Sequence, residues 1–135
     1  MRIYGDTRSG NCYKLQLLLS LLGKTCEWID VDIMKGETRA PSFLEKTPNG
    51  KIPLLELDDG RVLSESNAIM HYLASNTPLI PSSPYSFSQL LQWQFFEQYS
   101  HEPYIAVARY INVYLGYPRT GKRSTNLNKR VDIEH

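Results

Sequence analysis

The sequence predicts an α/β domain over residues 1–76, a linker at 77–85 and the start of an all-helical domain at 86–118, with a tail at 119–135. Three observations carry this prediction. Short period-two apolar runs alternate with segments whose apolar residues recur every three or four positions. An Asp-Asp-Gly turn joins two of the short runs. A proline- and serine-rich stretch then separates this pattern from one that is helical only. A chain of 135 residues with 41% apolar and 21% charged residues has the size and composition of one ordinary globular domain.

Met1 to Gly5 reads as a strand, and the polar turn from Asp6 to Gly10 leads into a helix. Its apolar residues Cys12, Leu15, Leu18, Leu19 and Leu22 share one face, and Gly23 stops it. Trp28 to Ile33 reads as a half-buried strand with Ile29, Val31 and Ile33 on one face and Asp30 and Asp32 on the other. Pro41 and Pro48 bracket a short helix around Ser42 to Lys46. Ile52 to Leu57 and Arg61 to Leu63 form a hairpin across Asp58-Asp59-Gly60. A serine-capped helix then begins near Ser66, carrying Ala68, Ile69, Tyr72 and Leu73. The order is strand, helix, strand, helix, strand, strand, helix (βαβαββα).

Pro78, Pro81 and Pro84, with three serines, mark Asn76 to Ser86 as the linker region. Beyond it Leu90, Leu91, Trp93, Phe96 and Tyr99 recur with helical period, and Ile105, Ala108, Ile111 and Leu115 continue the pattern after Pro103. Two helices, or one kinked at Pro103, follow. The plain reading of Trp93, Phe96, Tyr99, Tyr104 and Tyr110 is core packing. Residues 119–135 carry five basic and two acidic residues with scattered aliphatics, too little apolar surface to fold on.

A formal net charge of +1 supplies no global field to draw the chain onto nucleic acid or an anionic membrane. The longest apolar run, Leu15 to Leu22, is interrupted by Gln16 and Ser20 and falls short of a bilayer span. The N-terminus lacks the charged-then-apolar order of a secretory signal, so a cytoplasmic location is expected. In that setting Cys12 and Cys26 are expected to be reduced thiols. His71, His101 and His135 show no ligand spacing, and no metal site is predicted.

Three motifs bear a resemblance to the glutathione S-transferase family. Ser9-Gly-Asn-Cys12-Tyr-Lys resembles its serine-bearing active-site turn, Thr47-Pro-Asn-Gly-Lys-Ile-Pro-Leu-Leu the segment leading to its cis-proline, and Leu63-Ser-Glu-Ser-Asn-Ala-Ile its glutathione-gripping turn. The resemblance runs from Met1 to about Tyr117 and is nearest to bacterial theta-like members. It implies a thioredoxin-like first domain, glutathione as co-substrate, a hydrophobic electrophile as second substrate, and a homodimer. Since the family follows that domain with several helices and this chain supplies the first two, their apolar faces are expected to be partly uncovered.

The residues support this independently. A cis bond before Pro53 would turn the backbone N–H and C=O of Ile52 toward an extended peptide ligand. At the helix start, Ser66 suits a carboxylate and Glu65 an amino group. Thr38 and Arg39, with Lys51 as an alternative, fall where the family contacts the glycine end of glutathione. Ser9, with Asn11 and the amides of the helix's first turn, is placed to stabilise a thiolate. Cys12 has the spacing of a redox pair whose first cysteine is Ser9, and reads as a small core residue. Tyr4 offers a second candidate hydroxyl, less favoured than Ser9. The expected activity is conjugation of the glutathione thiolate to an electrophile. The alternatives are a glutathione-dependent disulfide or peroxide reductase and a non-catalytic glutathione-binding module.

Overall fold

The computed structural model describes residues 1–114; the expected tail at 119–135, with the end of the helical segment and His135, lies outside the described residues. Residues 1–95 form one compact unit and the helical residues that follow form another. The first contains β1 (Arg2–Gly5), α1 (Gly10–Leu21), β2 (Glu27–Asp30), α2 (Pro41–Leu44), β3 (Leu54–Glu56), β4 (Val62–Ser64) and α3 (Ser66–Ala74), in the expected order. The strands lie in the order β2-β1-β3-β4. β1 runs parallel to β2 and antiparallel to β3, which in turn pairs antiparallel with β4. A parallel pair needs a crossover, and α1 supplies it. This is a thioredoxin-like α/β domain.

Strand alternation decides which side chains face which layer. Ile3 stands opposite Leu55, and both join Leu15, Leu18 and Leu19 of α1 and Ile69, Leu73 and Ala74 of α3 in the main core. Tyr4 stands opposite Leu54, on the other face, where Val31, Phe43 and Ile52 complete a smaller cluster. Each fully buried Leu or Ile contributes roughly 1.5–3 kcal/mol, so the larger layer dominates the domain's stability. The end of α1 is set by Gly23, at φ +60°: its N–H donates to Ser20 and the Lys24 N–H to Leu19, the paired bonds of a Schellman stop.

Two expectations about elements need correction. β2 ends at Asp30 rather than running to Ile33, because the Asp32 carboxylate accepts the N–H groups of Met34 and Lys35 and starts a 3-10 turn at Ile33. Trp28, in register with Ile3, packs against the main core, while Ile29, in register with Tyr4, lies on the face of Val31, so the strand presents apolar residues to both layers and Ile33 falls outside it. Nor is α3 capped by serine. Glu65 holds the cap position with no side-chain cap bond, and Ser66 is the first helical residue with its hydroxyl engaged elsewhere.

α4 (Pro84–Phe96) begins inside the expected linker, with Ser83 accepting the Phe87 N–H through its carbonyl. It has no buried residue, and polar contacts tie it to α3: His71 Nε2 and Gln94 Oε1 share a hydrogen bond of 2.7 Å, and Asn67 donates to the Gln94 carbonyl. In the second unit Glu97–His101 is a π-helical turn, α5 spans Glu102–Arg109 and Tyr110–Tyr114 is again π-helical. Pro103 is the second residue of α5 and follows the wide π turn, which gives room for a ring that lacks an N–H. Core packing of the aromatics is not what the structure shows. Trp93 is 65%, Phe96 50%, Tyr99 85% and Tyr104 73% exposed.

Candidate functional site

β1 ends at Gly5, where a methyl group would stand 2.7 Å from Trp28 Cζ2 and 3.0 Å from Cys12 Sγ. Only glycine fits beneath the indole there, and the chain leaves the sheet at Asp6. The Asp6 carbonyl accepts the Ser9 N–H at 2.9 Å, closing a turn that delivers Ser9 to the start of α1. Ser9 has extended backbone and caps the helix, its Oγ accepting the Cys12 N–H at 3.4 Å. A hydroxyl that accepts this bond keeps its proton to donate, and Cys12 Sγ is within its reach. The first turn of α1 contains no acidic residue, so no side chain of that turn neutralises the positive end of the helix dipole.

A second helix begins beside the first. The Ser66 hydroxyl donates to Asn11 Oδ1 at 3.1 Å, joining the first turns of α1 and α3. Ser66 is buried, and Glu65 before it is exposed with φ +69°. A non-glycine residue in that region is held there by its surroundings, and the strain turns Glu65 out of β4 so that the chain can enter α3. Two helix N-termini converging on one patch make it favourable for negative charge.

The third wall comes from the segment before β3. The Ile52–Pro53 peptide is cis, and the N–H and C=O of Ile52 enter no hydrogen bond among the described residues. The ladder pairs Leu54 with Tyr4 and with Ser64. One step further along each strand sets Pro53 between Gly5 and Glu65, at the sheet end where the Ser9 turn and α3 begin. Lys51 is exposed, and its N–H is held by Asn49 Oδ1. Thr38 and Arg39 reach this loop through Gly50: a Cβ on Gly50 would lie 3.0 Å from the Thr38 carbonyl and 3.2 Å from Arg39 Nη1. The Thr38 side chain is itself buried, whereas Arg39 is exposed.

The structure therefore brings Ser9, Asn11 and Ser66 together, sets Pro53 and Glu65 at the same sheet end, and joins Thr38, Arg39 and Lys51 through one loop. Cys12 is fully buried. Burial pushes its thiol up, opposed by its contacts with Ser9 and the Asp6 backbone, so it suits a core role. Tyr4 points to the opposite face of the sheet, where its hydroxyl donates to Glu56 Oε2 at 2.5 Å and its ring meets Phe43 edge-on. Sequence reasoning passed over Asp6 and Arg8 as turn polarity and Asp32 as the polar face of a strand, although Asp6 is 5% exposed and its carboxyl is held below the usual range by the Arg8 guanidinium. Among the described residues no cluster of three or more His, Cys, Asp or Glu could hold a metal, and no helix is long and apolar enough to cross a membrane.

The chain is similar to known proteins in sequence and fold. A glutathione S-transferase of Pseudomonas fluorescens superposes with a TM-score of 0.84 at 61% identity, over 87% of this chain and 58% of that one. The maleylacetoacetate isomerase of Pseudomonas aeruginosa is 34% identical over 89 residues, 62% of this chain and 42% of the isomerase. Elongation factor 1-gamma of Danio rerio is 52% identical over 62 residues, 45% of this chain and 14% of the factor. This chain thus spans less than two thirds of each of these relatives. The family profile described as glutathione S-transferase, N-terminal domain, matches residues 3–85, the stretch that holds the Ser9 turn, the cis-proline segment and the start of α3, and the chain belongs to the glutathione S-transferase family.

Proposed function

We propose that the chain binds glutathione along the end of its sheet and uses Ser9 to hold the glutathione thiolate for attack on an electrophilic small molecule. The observation that carries this reading is the position of Ser9: it caps α1 through its lone pair while its O–H remains able to donate. A thiol placed there meets a hydroxyl donor and a helix N-terminus, both of which favour the thiolate. The Ile52 backbone is the main-chain grip for the peptide, the Ser66 helix start takes a carboxylate, and Glu65 takes an amino group. Thr38, by its backbone, with Arg39 and Lys51, lies toward the glycine end. Most of the rate enhancement then comes from positioning and anion stabilisation.

Two other readings each have an observation behind them. The likeness to maleylacetoacetate isomerase supports an isomerisation at the same site, and with it a subclass nearer that enzyme than the theta-like members. The likeness to elongation factor 1-gamma favours a module that keeps the fold without turnover. A cytoplasmic location and a homodimer belong to the same proposal.

Calorimetric titration with glutathione, paired with conjugation and isomerisation assays on the parent chain and a Ser9→Ala variant, separates them. For a transferase, Ser9→Ala lowers conjugation by roughly 100-fold or more, as loss of an oxyanion donor does, and costs about 1 kcal/mol of stability as a lost helix cap. Isomerisation without conjugation selects the isomerase reading, binding without turnover selects the module, and no binding at millimolar glutathione overturns all three.

A further inference from the structure

Ser9 and the loop of Thr38 and Arg39 lie on different elements, yet one guanidinium is bonded to the supports of both. Arg8 Nε donates to Asp6 Oδ1 at 2.9 Å and Nη2 to Asp6 Oδ2 at 2.7 Å, and the Arg8 N–H adds a third bond to Oδ1 at 2.9 Å. Asp6 is buried, and its carbonyl closes the turn on Ser9. The same Nη2 reaches Asp32 Oδ1 at 3.2 Å. Asp32 in turn organises the next segment: its carboxylate accepts from Met34 and Lys35, its N–H donates to Glu37 Oε2 at 2.6 Å, and its carbonyl accepts the Glu37 N–H at 3.2 Å. Thr38 and Arg39 follow directly.

We propose that Arg8 is a positioning residue that couples the Ser9 turn to the Thr38–Arg39 loop through Asp6 and Asp32, so that the thiol and glycine ends of the glutathione site are set together. The proposal rests on the glutathione reading given above. Its physical basis is the planar fork of arginine, which can serve one carboxylate with two parallel bonds and still present an N–H to another. A lysine ammonium, a point charge with no such fork, can neutralise Asp6 but cannot hold both carboxylates in this geometry. The backbone pairing of β1 with β2 ends with the Val31 N–H on the Gly5 carbonyl at 3.0 Å, one residue short of Asp32 and Asp6, and Arg8 extends the tie to both carboxylates.

The test uses the full chain and Arg8→Met, Arg8→Lys and Asp32→Asn variants, with thermal melting to establish that each is folded. Amide hydrogen exchange without ligand, glutathione affinity, and the thiol pKa of bound glutathione read from thiolate absorbance are then compared. Arg8→Met is expected to speed exchange in both 9–12 and 33–39 and to weaken glutathione binding by roughly tenfold, with a raised thiol pKa. Arg8→Lys retains protection near Ser9 but not at 33–39. Arg8→Met combined with Asp32→Asn weakens binding by less than the product of the two single effects. Faster exchange near Ser9 alone, or fully multiplicative effects, overturns the coupling. If the parent chain binds no glutathione, the functional reading itself fails; a parent that binds while the variants match it sinks only the role of Arg8.

Discussion

Asp6 shows how much one residue can depend on its place in the fold. Its carboxylate is nearly inaccessible because it follows the last residue of a central strand, and it is tolerable there because Arg8 supplies the opposite charge. The Arg8 pairing depresses its folded pKa below 3.8. The resulting stabilisation is complete above the unfolded value and is lost as pH falls through the folded one. Asp6→Asn is therefore expected to lower stability by roughly 1–3 kcal/mol near pH 7 and to flatten the acid limb below about pH 4, as read by urea unfolding at both ends of that range. A variant as steep in acid as the parent would contradict this. Ser9 was legible from sequence as the cap of α1, because it stands where a polar turn meets an apolar pattern of helical period. The role of Asp6 was not, because a polar turn looks alike whether it lies in solvent or under a guanidinium.

At the scale of elements, the sequence pattern located each strand and helix of the first domain and misjudged the end of one and the cap of another. Alternation extended β2 through Ile33, but a carboxylate that can accept two amides from the following turn ends a strand sooner. Serine at the start of α3 looked like a cap, whereas its hydroxyl binds Asn11 across the site. Such long-range partners leave no periodic signal. The loop before Pro53 carries its own test. Gly50 has φ +58° and would bring a Cβ within 3.0 Å of the Thr38 carbonyl and 3.1 Å of a Leu44 methyl. Gly50→Ala is expected to cost about 1–3 kcal/mol and to weaken glutathione binding by shifting the loop of Thr38, Arg39 and Lys51. An unchanged calorimetric affinity in a destabilised variant would separate that loop from the ligand.

For the whole molecule, the helical spacing of Trp93, Phe96 and Tyr99 identified helices correctly but could not say what covers them. Tyr85 is 73%, Phe95 68% and Ile105 56% exposed. Large apolar side chains left exposed in each unit favour association. Sedimentation should show a mass above 15.5 kDa that rises with concentration, and Phe95→Ser with Ile105→Ser should lower it. A single species of monomer mass at every concentration would count against the homodimer.

The strand order has a consequence for how the chain comes together. β1, first in sequence, sits inside the sheet: β2 covers one edge, but the other waits for β3, whose residues 54–56 pair with residues 2–4. During synthesis that edge stays open for about fifty residues, a non-local closure of the kind that slows folding. A backbone cut between residues 40 and 50 would leave two pieces with matching unpaired edges, one on β1 and one on β3. Mixed in solution, such pieces should reassemble without a covalent link, each providing the template that the other lacks.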